Sequence, residues 1–416
     1  MTKSSAPTTR AACVARDADD PLRSLRDRFV IPDGLIYLDG NSLGPMPRAA
    51  AAALSRTIEE EWARDLIKSW NSAGWFDMPI RLGDRLGALI GAAPGQTAVC
   101  DTTSINLYKT IHAAIGMRPG RDVVVAEAGA FPTDLYIVEG AMASAGRPMQ
   151  RRLVRHDVPI EELLDERVAV VVLSHVDYRS GRLLDVADIT RKVHAAGALV
   201  VWDLCHSAGV IEFAFDAEDI DFVVGCTYKY LNGGPGSPAF ICVARRLLAQ
   251  ARNPLSGWWG HAAPFAFERD FRPDAGIRRF LCGTQPIVSL RGVEAALDAL
   301  DGVAIADLRR KSLALTDLFM ARVAALAPEL EIVTPRDPML RGAQVALAFV
   351  NGYPVVQAMI ERGVVGDFRA PDVMRFGFAP AYLRYQEVWD AAEILAECVR
   401  GEVWREPRYR QRHAVT

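Results

Sequence analysis

Lys229 stands between Tyr228 and Tyr230 in the segment DFVVGCTYKYLNGGPG, residues 221–236, where an apolar run leads in and a glycine-rich turn follows. Upstream, VVWDLCHSAG (200–209) ends a second apolar run in Asp203 and His206. Read as buried strands, the two runs each deliver an ionisable residue at or just past the carboxyl end, where open α/β sheets place ligands. Loss of solvation disfavours the charged form of a lysine and leaves an amine able to attack a carbonyl. With a carboxylate from a nearby strand, that lysine suits a Schiff base to pyridoxal 5′-phosphate (PLP), whose aldehyde needs an amine and whose pyridinium nitrogen needs an acid. Each residue alone has an ordinary alternative: a strand-end lysine pointing to solvent, an aspartate capping a helix that begins near His206, a histidine satisfied in the core.

Other segments gain meaning beside that pair. DTTSINLYKTIHAAIG (101–116) reads as strand end, hydroxyl cluster and helix. Thr103 or Ser104 is the expected cap, and a helix N-terminus offers free N–H groups to a phosphate. In FPTDLYIVEG (131–140), Phe131 is either core or a ring that stacks on the pyridine, and Asp134 either favours a first helical turn or lies close to the ring. NGGPGSP (232–238) lacks both the GxGxxG spacing and the GK[ST] ending of nucleotide loops and reads as a tight turn beside the cofactor. In DVMRFGFAP (372–380), Arg375 is either an exposed strand arginine or a fork for a substrate carboxylate. SGWWGH (256–261) and LCGTQPI (281–287) are loop compositions that carry no site on their own.

The elements that must position these groups follow from apolar periodicity. Strands are expected at 97–100, 122–128, 168–176, 198–204, 221–227 and 239–244, with the last left open as antiparallel. Near-continuous apolar runs alternating with helical patterns imply a mainly parallel sheet covered on both faces. Residues 48–72 read as one amphipathic helix. After about residue 300 a basic helical stretch, two short strands and helices near 354–362 and 386–399 imply a smaller α+β domain. The expected division is a large domain over 56–300 and a small domain from 1–55 with 301–416.

Composition excludes several classes. The 416 residues carry a net charge of −3, with a sequence pI of about 6.2, which disfavours a nucleic-acid surface. No apolar run reaches the ~18–20 residues a membrane span needs. The first twenty residues contain acids and no continuous apolar stretch, so they read as a mobile arm rather than a secretory signal. Seven cysteines, an odd number with no CxxC pair, read as small buried hydrophobes of a reducing cytoplasm, with no metal site.

Taken together, YLDGNSLGPMP (37–47), DLIKSWNSAGW (65–75), DTTSINL (101–107), FPTDLY (131–136), WDLCHSAG (202–209), GCTYKYLNGGPGSPAF (225–240), LSGWWGH (255–261), FLCGTQPI (280–287) and GDFRAPDVMRFGFAP (366–380) run in one order through nearly the whole chain. In these segments the chain resembles the kynureninases, PLP-dependent enzymes of fold type I. The resemblance implies an aspartate aminotransferase-like large domain with a mainly parallel seven-stranded sheet, plus a small α+β domain. It implies hydrolysis of L-kynurenine to anthranilate and L-alanine in tryptophan catabolism by a cytoplasmic homodimer with shared active sites. Matched position by position, Lys229 is the cofactor lysine and Asp203 the partner of the ring nitrogen, with His206 and Asp134 near the ring and Phe131 stacked on it. Thr103, Ser104 and Tyr228 hold the phosphate side, Tyr228 is also a proton carrier, and Ser174 is a cofactor contact. Trp258 and Thr284 reach the phosphate from the neighbouring subunit, and Arg375 grips the α-carboxylate. Members that favour 3-hydroxykynurenine carry a histidine in the region of Trp70 and Asn71, and Ser-Asn in place of Gly283–Thr284. The chain has the bacterial pattern, so unsubstituted kynurenine is the expected substrate, with the 3-hydroxylated one secondary.

Two rivals stand against this reading. A cysteine desulfurase of the same fold needs a mobile catalytic cysteine on a late loop, and Cys282 is only loosely placed for it. A non-catalytic regulator of the same fold usually carries a DNA-binding module, for which there is neither an extra domain nor a basic excess.

Overall fold

The computed structural model describes residues 7–412. Its largest element is a seven-stranded sheet: β1 Thr97–Val99, β2 Val123–Glu127, β3 Gln150–Val154, β4 Val168–Ser174, β5 Leu199–Asp203, β6 Phe222–Gly225 and β7 Phe240–Val243. The order is β1-β7-β6-β5-β4-β2-β3. Strands β2 to β6 run parallel, and β7 is antiparallel to both its neighbours. Six of the strands are buried along their whole length, because helices cover both faces; this produces the continuous apolar runs in the sequence. The seventh, β3, carries QRRLV and is mostly exposed at the sheet edge. Polar residues suit an edge strand, and they hid it from a search for apolar runs.

A four-stranded antiparallel sheet follows: β8 Glu331–Ile332, β9 Gln344–Ala348, β10 Asp367–Arg369 and β11 Val373–Gly377, in the order β10-β11-β9-β8. Helices Ile305–Leu326, Gly352–Glu361 and Tyr385–Arg400 accompany it. Ile36–Tyr37 pairs in parallel with Val364–Val365, tying the N-terminal segment to this part of the chain. The buried apolar side chains form two clusters, one around the large sheet and one that joins the N-terminal segment to residues from 299 onward, with Val176, Val210, Ile211 and Tyr230 from the large-sheet part packed into it.

Two expectations are corrected here. The N-terminal stretch is not a mobile arm where it is described; residues 1–6 lie outside the described residues. Arg10–Ala18 is a helix capped by Thr9, whose hydroxyl accepts from the Ala12 N–H at 3.1 Å. It is docked from one side. Cys13 is fully buried, Arg10 forks onto Asp390 at 2.6 and 2.7 Å, and Asp17 accepts from the backbone N–H groups of Tyr385 and Gln386. A polar sequence with one buried anchor face thus reads as disordered until its partner helix is known.

The second correction concerns 48–72, which is not one helix. An α-helix over Ala50–Arg56 widens into a π-turn over Thr57–Trp62, then breaks at Leu66, which has φ of 53°. Short turns complete it at Leu66–Lys68 and Ser69–Ser72. Glu61 anchors the break: it is buried and receives Arg291 Nη2 at 2.8 Å and Trp75 Nε1 at 2.8 Å, while its carbonyl accepts from Ser69 Oγ at 2.6 Å. Widened turns of this type mark places where an inserted residue is accommodated.

Candidate functional site

Strands β5 and β6 are adjacent, with Asp203 opposite Val224. The chain therefore leaves both at the same sheet edge and brings Asp203, His206 and Lys229 to the wall of one cavity of about 340 Å³. Lys229 Nζ lies 2.9 Å from His206 Nε2 and 6.0 Å from the centre of the Tyr228 ring. Burial, and then the charge of Lys229, push the His206 pKa well below its ordinary value, so the imidazole is neutral and accepts from the amine. Its Nδ1 is buried without a hydrogen-bond partner. The backbone around Lys229 is clamped by the 37–47 segment: the Gly44 N–H donates to the Tyr228 carbonyl at 2.7 Å. Any side chain at Gly44 would overlap the Lys229 carbonyl.

The capping alternative for Asp203 does not hold, since no helix begins near His206. Its Oδ1 accepts from the Cys205 N–H at 2.8 Å within a turn. Burial raises its pKa, against the lowering effects of Cys205 and Lys229. Two further carboxyls gather behind it. Asp134, in the first turn of Pro132–Ala143, is buried, and burial followed by repulsion from Asp203 holds its pKa well above normal. Glu127, the last residue of β2, is raised to about 7 by burial and then by Asp177. Ser174 ends β4 directly opposite Asp203 and lines the cavity, its N–H 3.4 Å from Glu127 Oε2.

At another wall stands the N-terminus of helix Thr103–Gly116. The expected cap is corrected: the cap is Thr102, whose Oγ1 accepts from the Ile105 N–H at 3.3 Å. Thr103 and Ser104 are thereby freed, and both line the cavity in the first turn, where backbone N–H groups lack helical acceptors. Asp101, in the left-handed region at φ 51°, makes the turn that aims them. It is held by the fully buried Lys109, which also donates to the Phe280 carbonyl at 2.6 Å. Phe131 lies at the rim, edge-on to Tyr178 with ring centres 5.3 Å apart.

The small sheet closes the cavity with Arg375. The exposed-strand alternative fails, because Arg375 is 1% exposed. Asp367 faces it across the β10–β11 pair. Arg375 Nε donates to Asp367 Oδ1 at 2.8 Å and Nη2 to Asp367 Oδ2, a bidentate pairing. Nη1 donates to the Tyr178 carbonyl at 2.5 Å and Nη2 also to Ser42 Oγ at 3.2 Å. Burial works against the charge of Asp367, yet the Arg375 fork keeps its pKa low.

Four expected residues lie elsewhere in the single chain. Trp70 packs edge-on against Trp75 and Trp259, with ring centres 5.5 and 5.4 Å apart, and Asn71 beside it is exposed. Trp258 is 42% exposed and stacks on Trp259, and Thr284 is exposed. The NGGPGSP turn also departs from expectation: Asn232 to Pro235 line a separate, apolar cavity of about 380 Å³. The turn still braces the Lys229 segment, since the Asn232 N–H donates to the Lys229 carbonyl at 2.9 Å.

Comparison with known proteins bears on this geometry. Residues 308–395 match the kynureninase C-terminal domain family. Over 414 residues the chain is 50% identical to the kynureninase of Burkholderia pseudomallei (strain 1106a), covering 98% of this chain and all of that one. The chain belongs to the kynureninase family. Among solved structures, the cysteine desulfurase CsdA from Escherichia coli (S-sulfonic acid form) superposes with a TM-score of 0.77 at 18% identity, over 91% of this chain and 98% of that one. A C-DES mutant with glycine covalently linked to its PLP cofactor gives 0.77 at 15% identity, over 89% and 99%. At such identities these likenesses speak for the fold, which is that of the PLP-dependent fold-type I enzymes.

The desulfurase rival fits the site poorly. Cys282 Sγ points at the Leu255 carbonyl, 3.1 Å away, and Cys282 is not among the residues lining the cavity. Sequence reasoning passed over several cavity residues. Ser42 and Asn41 lie in YLDGNSLG, Tyr178 follows β4, and Arg369 lies six residues before Arg375. The signal for Glu127 was present, since an acid at the end of an apolar parallel strand repeats the pattern of Asp203. The groups present fit PLP: a half-buried amine beside a neutral imidazole, a buried carboxyl from the adjacent strand, and a helix N-terminus flanked by two hydroxyls. Among the described residues no group of side chains is arranged to hold a metal ion, and no helix is long and apolar enough to cross a membrane.

Proposed function

We propose that the chain hydrolyses the Cβ–Cγ bond of L-kynurenine, giving anthranilate and L-alanine, with PLP carried by Lys229. The observation that supports this most is the meeting of Lys229, His206 and Asp203 in one cavity, in a chain of this family whose opposite wall offers guanidinium groups. PLP, when bound there, supplies an electron sink for the bonds around the substrate amine carbon. Asp203 holds a proton at the ring nitrogen. Thr103, Ser104 and the helix N-terminus take the phosphate, with Tyr228 on the same side and Ser174 as a further contact. Phe131 would cover the ring and Asp134 would lie near it. Lys229 Nζ, kept in place by the neutral His206, removes the substrate α-proton. The Tyr228 phenol stays protonated because burial, and then Cys226, raise its pKa. It is therefore suited to give a proton to the γ-carbonyl oxygen as water adds at Cγ, or to Cβ, which keeps the electron pair when the Cβ–Cγ bond breaks. Arg375 orients the α-carboxylate.

The assembly in this reading is a homodimer. Trp258 and Thr284 reach the phosphate side of a neighbouring subunit's cavity, and Trp70 and Asn71 contribute to the choice of unsubstituted kynurenine. Exposed apolar side chains support a covered face here: Trp62 is 60% exposed, Ile67 76% and Phe265 65%, and Phe265 touches both Phe76 and Trp258. We divide the chain into 56–300 and 1–55 with 301–416, a division supported by the two apolar clusters, and place it in the cytoplasm, where seven unpaired thiols are stable.

The test is a spectrum and a product. Purified with PLP, the protein should show a visible absorbance band that changes on adding kynurenine, with anthranilate fluorescence appearing. A band without anthranilate rejects the reaction; no band rejects the cofactor. For the shared site, mixing Lys229→Ala subunits with a Trp258/Thr284 double variant should restore activity through hybrids, and no recovery after verified exchange rejects the sharing.

A further inference from the structure

Arg375 has little donor capacity left. A guanidinium carries five N–H groups in a fixed fork, and four of those on Arg375 are engaged by Asp367, Ser42 and the Tyr178 carbonyl. One hydrogen on Nη1 is free. A carboxylate held by that hydrogen alone would lack the paired contact that gives an arginine its geometric selectivity.

The missing donors are close by. Arg369 lines the same cavity and shares the same anchor, its Nη2 reaching Asp367 Oδ2 at 2.7 Å. Its Nη1 donates to the Phe368 carbonyl at 3.2 Å, and its Nε is buried without a partner. Three N–H groups therefore remain. Asp367 Oδ2 collects Arg369, Arg375 and Ser42 Oγ, the last at 2.8 Å, so one carboxylate fixes both guanidiniums side by side. The charges are not balanced. Facing the two arginines is Asp367 and then Asp39, whose Oδ1 is buried without a partner and whose pKa burial and Asp367 raise to about 7. Positive charge is left over beside the cavity, which suits one more anion.

We infer that Arg369 is a second substrate-binding arginine, which completes with Arg375 a two-guanidinium clamp on the α-carboxylate of the amino-acid substrate. The inference rests on the proposed reaction in that it takes an amino acid as the ligand. Asp367 is the positioning residue of the clamp. It holds both cations from behind and leaves their cavity side open.

The test uses the PLP-loaded enzyme and the variants Arg369→Gln and Arg369→Lys, with the resting spectrum and thermal midpoint recorded to verify folding and loading. KM for kynurenine should rise at least about tenfold in Arg369→Gln, with a smaller change in kcat. Arg369→Lys should recover part of the loss, because it restores charge without the fork. The deciding readout is binding of the amine that keeps the aryl ketone and lacks the α-carboxylate, followed by the absorbance change. Its affinity should be within about twofold of wild type in both variants. A KM within twofold of wild type in Arg369→Gln overturns the clamp, as does an equal loss of affinity for the carboxylate-free amine, which would make Arg369 only a counter-ion for Asp367. If wild type itself does not turn over kynurenine, it is the proposed reaction that has failed.

Discussion

The two ends of the cavity solve opposite electrostatic problems. At the large-sheet end, Asp203 and Asp134 line the cavity with one lysine and one neutral histidine, Glu127 lies behind them, and burial raises the pKa of each carboxyl. At the small-sheet end, Asp367 is kept ionised by Arg375 and Arg369 in spite of burial. The first end has acid without enough counter-charge, and so favours a cationic ring that arrives with its own proton. The second has cation beyond its acid, and so favours an anion. Parallel strands ending at one edge build the first; a tight antiparallel pair with Asp367 opposite Arg375 builds the second. A zwitterionic ligand lying between a pyridine ring and a pair of guanidiniums satisfies both.

The comparison breaks most completely at Lys229. Lys229→Ala should abolish turnover and the visible band while far-UV circular dichroism and the thermal transition remain those of a folded protein. Sustained turnover without added amine removes Lys229 from the chemistry. Asp203→Asn should come next. A neutral amide no longer keeps the ring nitrogen protonated, so kcat should drop by roughly 10²–10⁴-fold, the range for loss of a proton-holding group, with PLP still bound. Rates near wild type would mean that Asp203 serves only the Cys205 turn.

Much of the first end was legible in the sequence, and the reason is geometric. A parallel strand is apolar until it stops, so Asp203 and Lys229 stand out as the first charged groups after their runs. The sheet then brings them together without further information. The second end was half legible. Arg375, flanked by apolar residues, signals a buried charge in need of a partner, but the partner is set by hairpin register, and nothing in GDFRAPDVMR announces that Asp367 faces Arg375. Thr102 went unrecognised as the cap because three consecutive hydroxyl residues offer the same chemistry and only backbone angles choose among them. The edge strand β3, the docked N-terminal helix and the break at Glu61 were missed for a shared reason: each is decided by a tertiary partner, respectively β2, the helix Tyr385–Arg400 and Arg291.

Arg375 sharpens the contrast from the other side. Arg375→Lys should raise KM for kynurenine by about tenfold and Arg375→Ala by more, since a charge-assisted pair at a buried carboxylate is worth about 1.5–3 kcal/mol. PLP content and the resting spectrum should be unchanged, because the cofactor wall lies at the other end. If Arg375→Ala strips the cofactor, the two ends are not independent and the comparison fails.

The smallest expected effect concerns Glu127. Its pKa is raised by burial, then by Asp177, with Asp203 adding to the rise and the Ser174 N–H opposing it, to about 7 from an unfolded value near 4.5. A carboxyl whose folded pKa is raised contributes stability that is fully present below the unfolded pKa and is lost as pH rises through the folded one. Across pH 5 to 8 the wild-type holoenzyme should therefore lose stability relative to Glu127→Gln, by on the order of 1–3 kcal/mol. The amide keeps the shape and cannot ionise, so the difference in thermal midpoint between the two proteins should close or reverse as pH rises. The measurement is a pair of thermal melts at several pH values with PLP bound. A difference that stays flat from pH 5 to 8 would show that Glu127 ionises normally, and that the surplus of acid at the ring end consists of Asp203 and Asp134 alone.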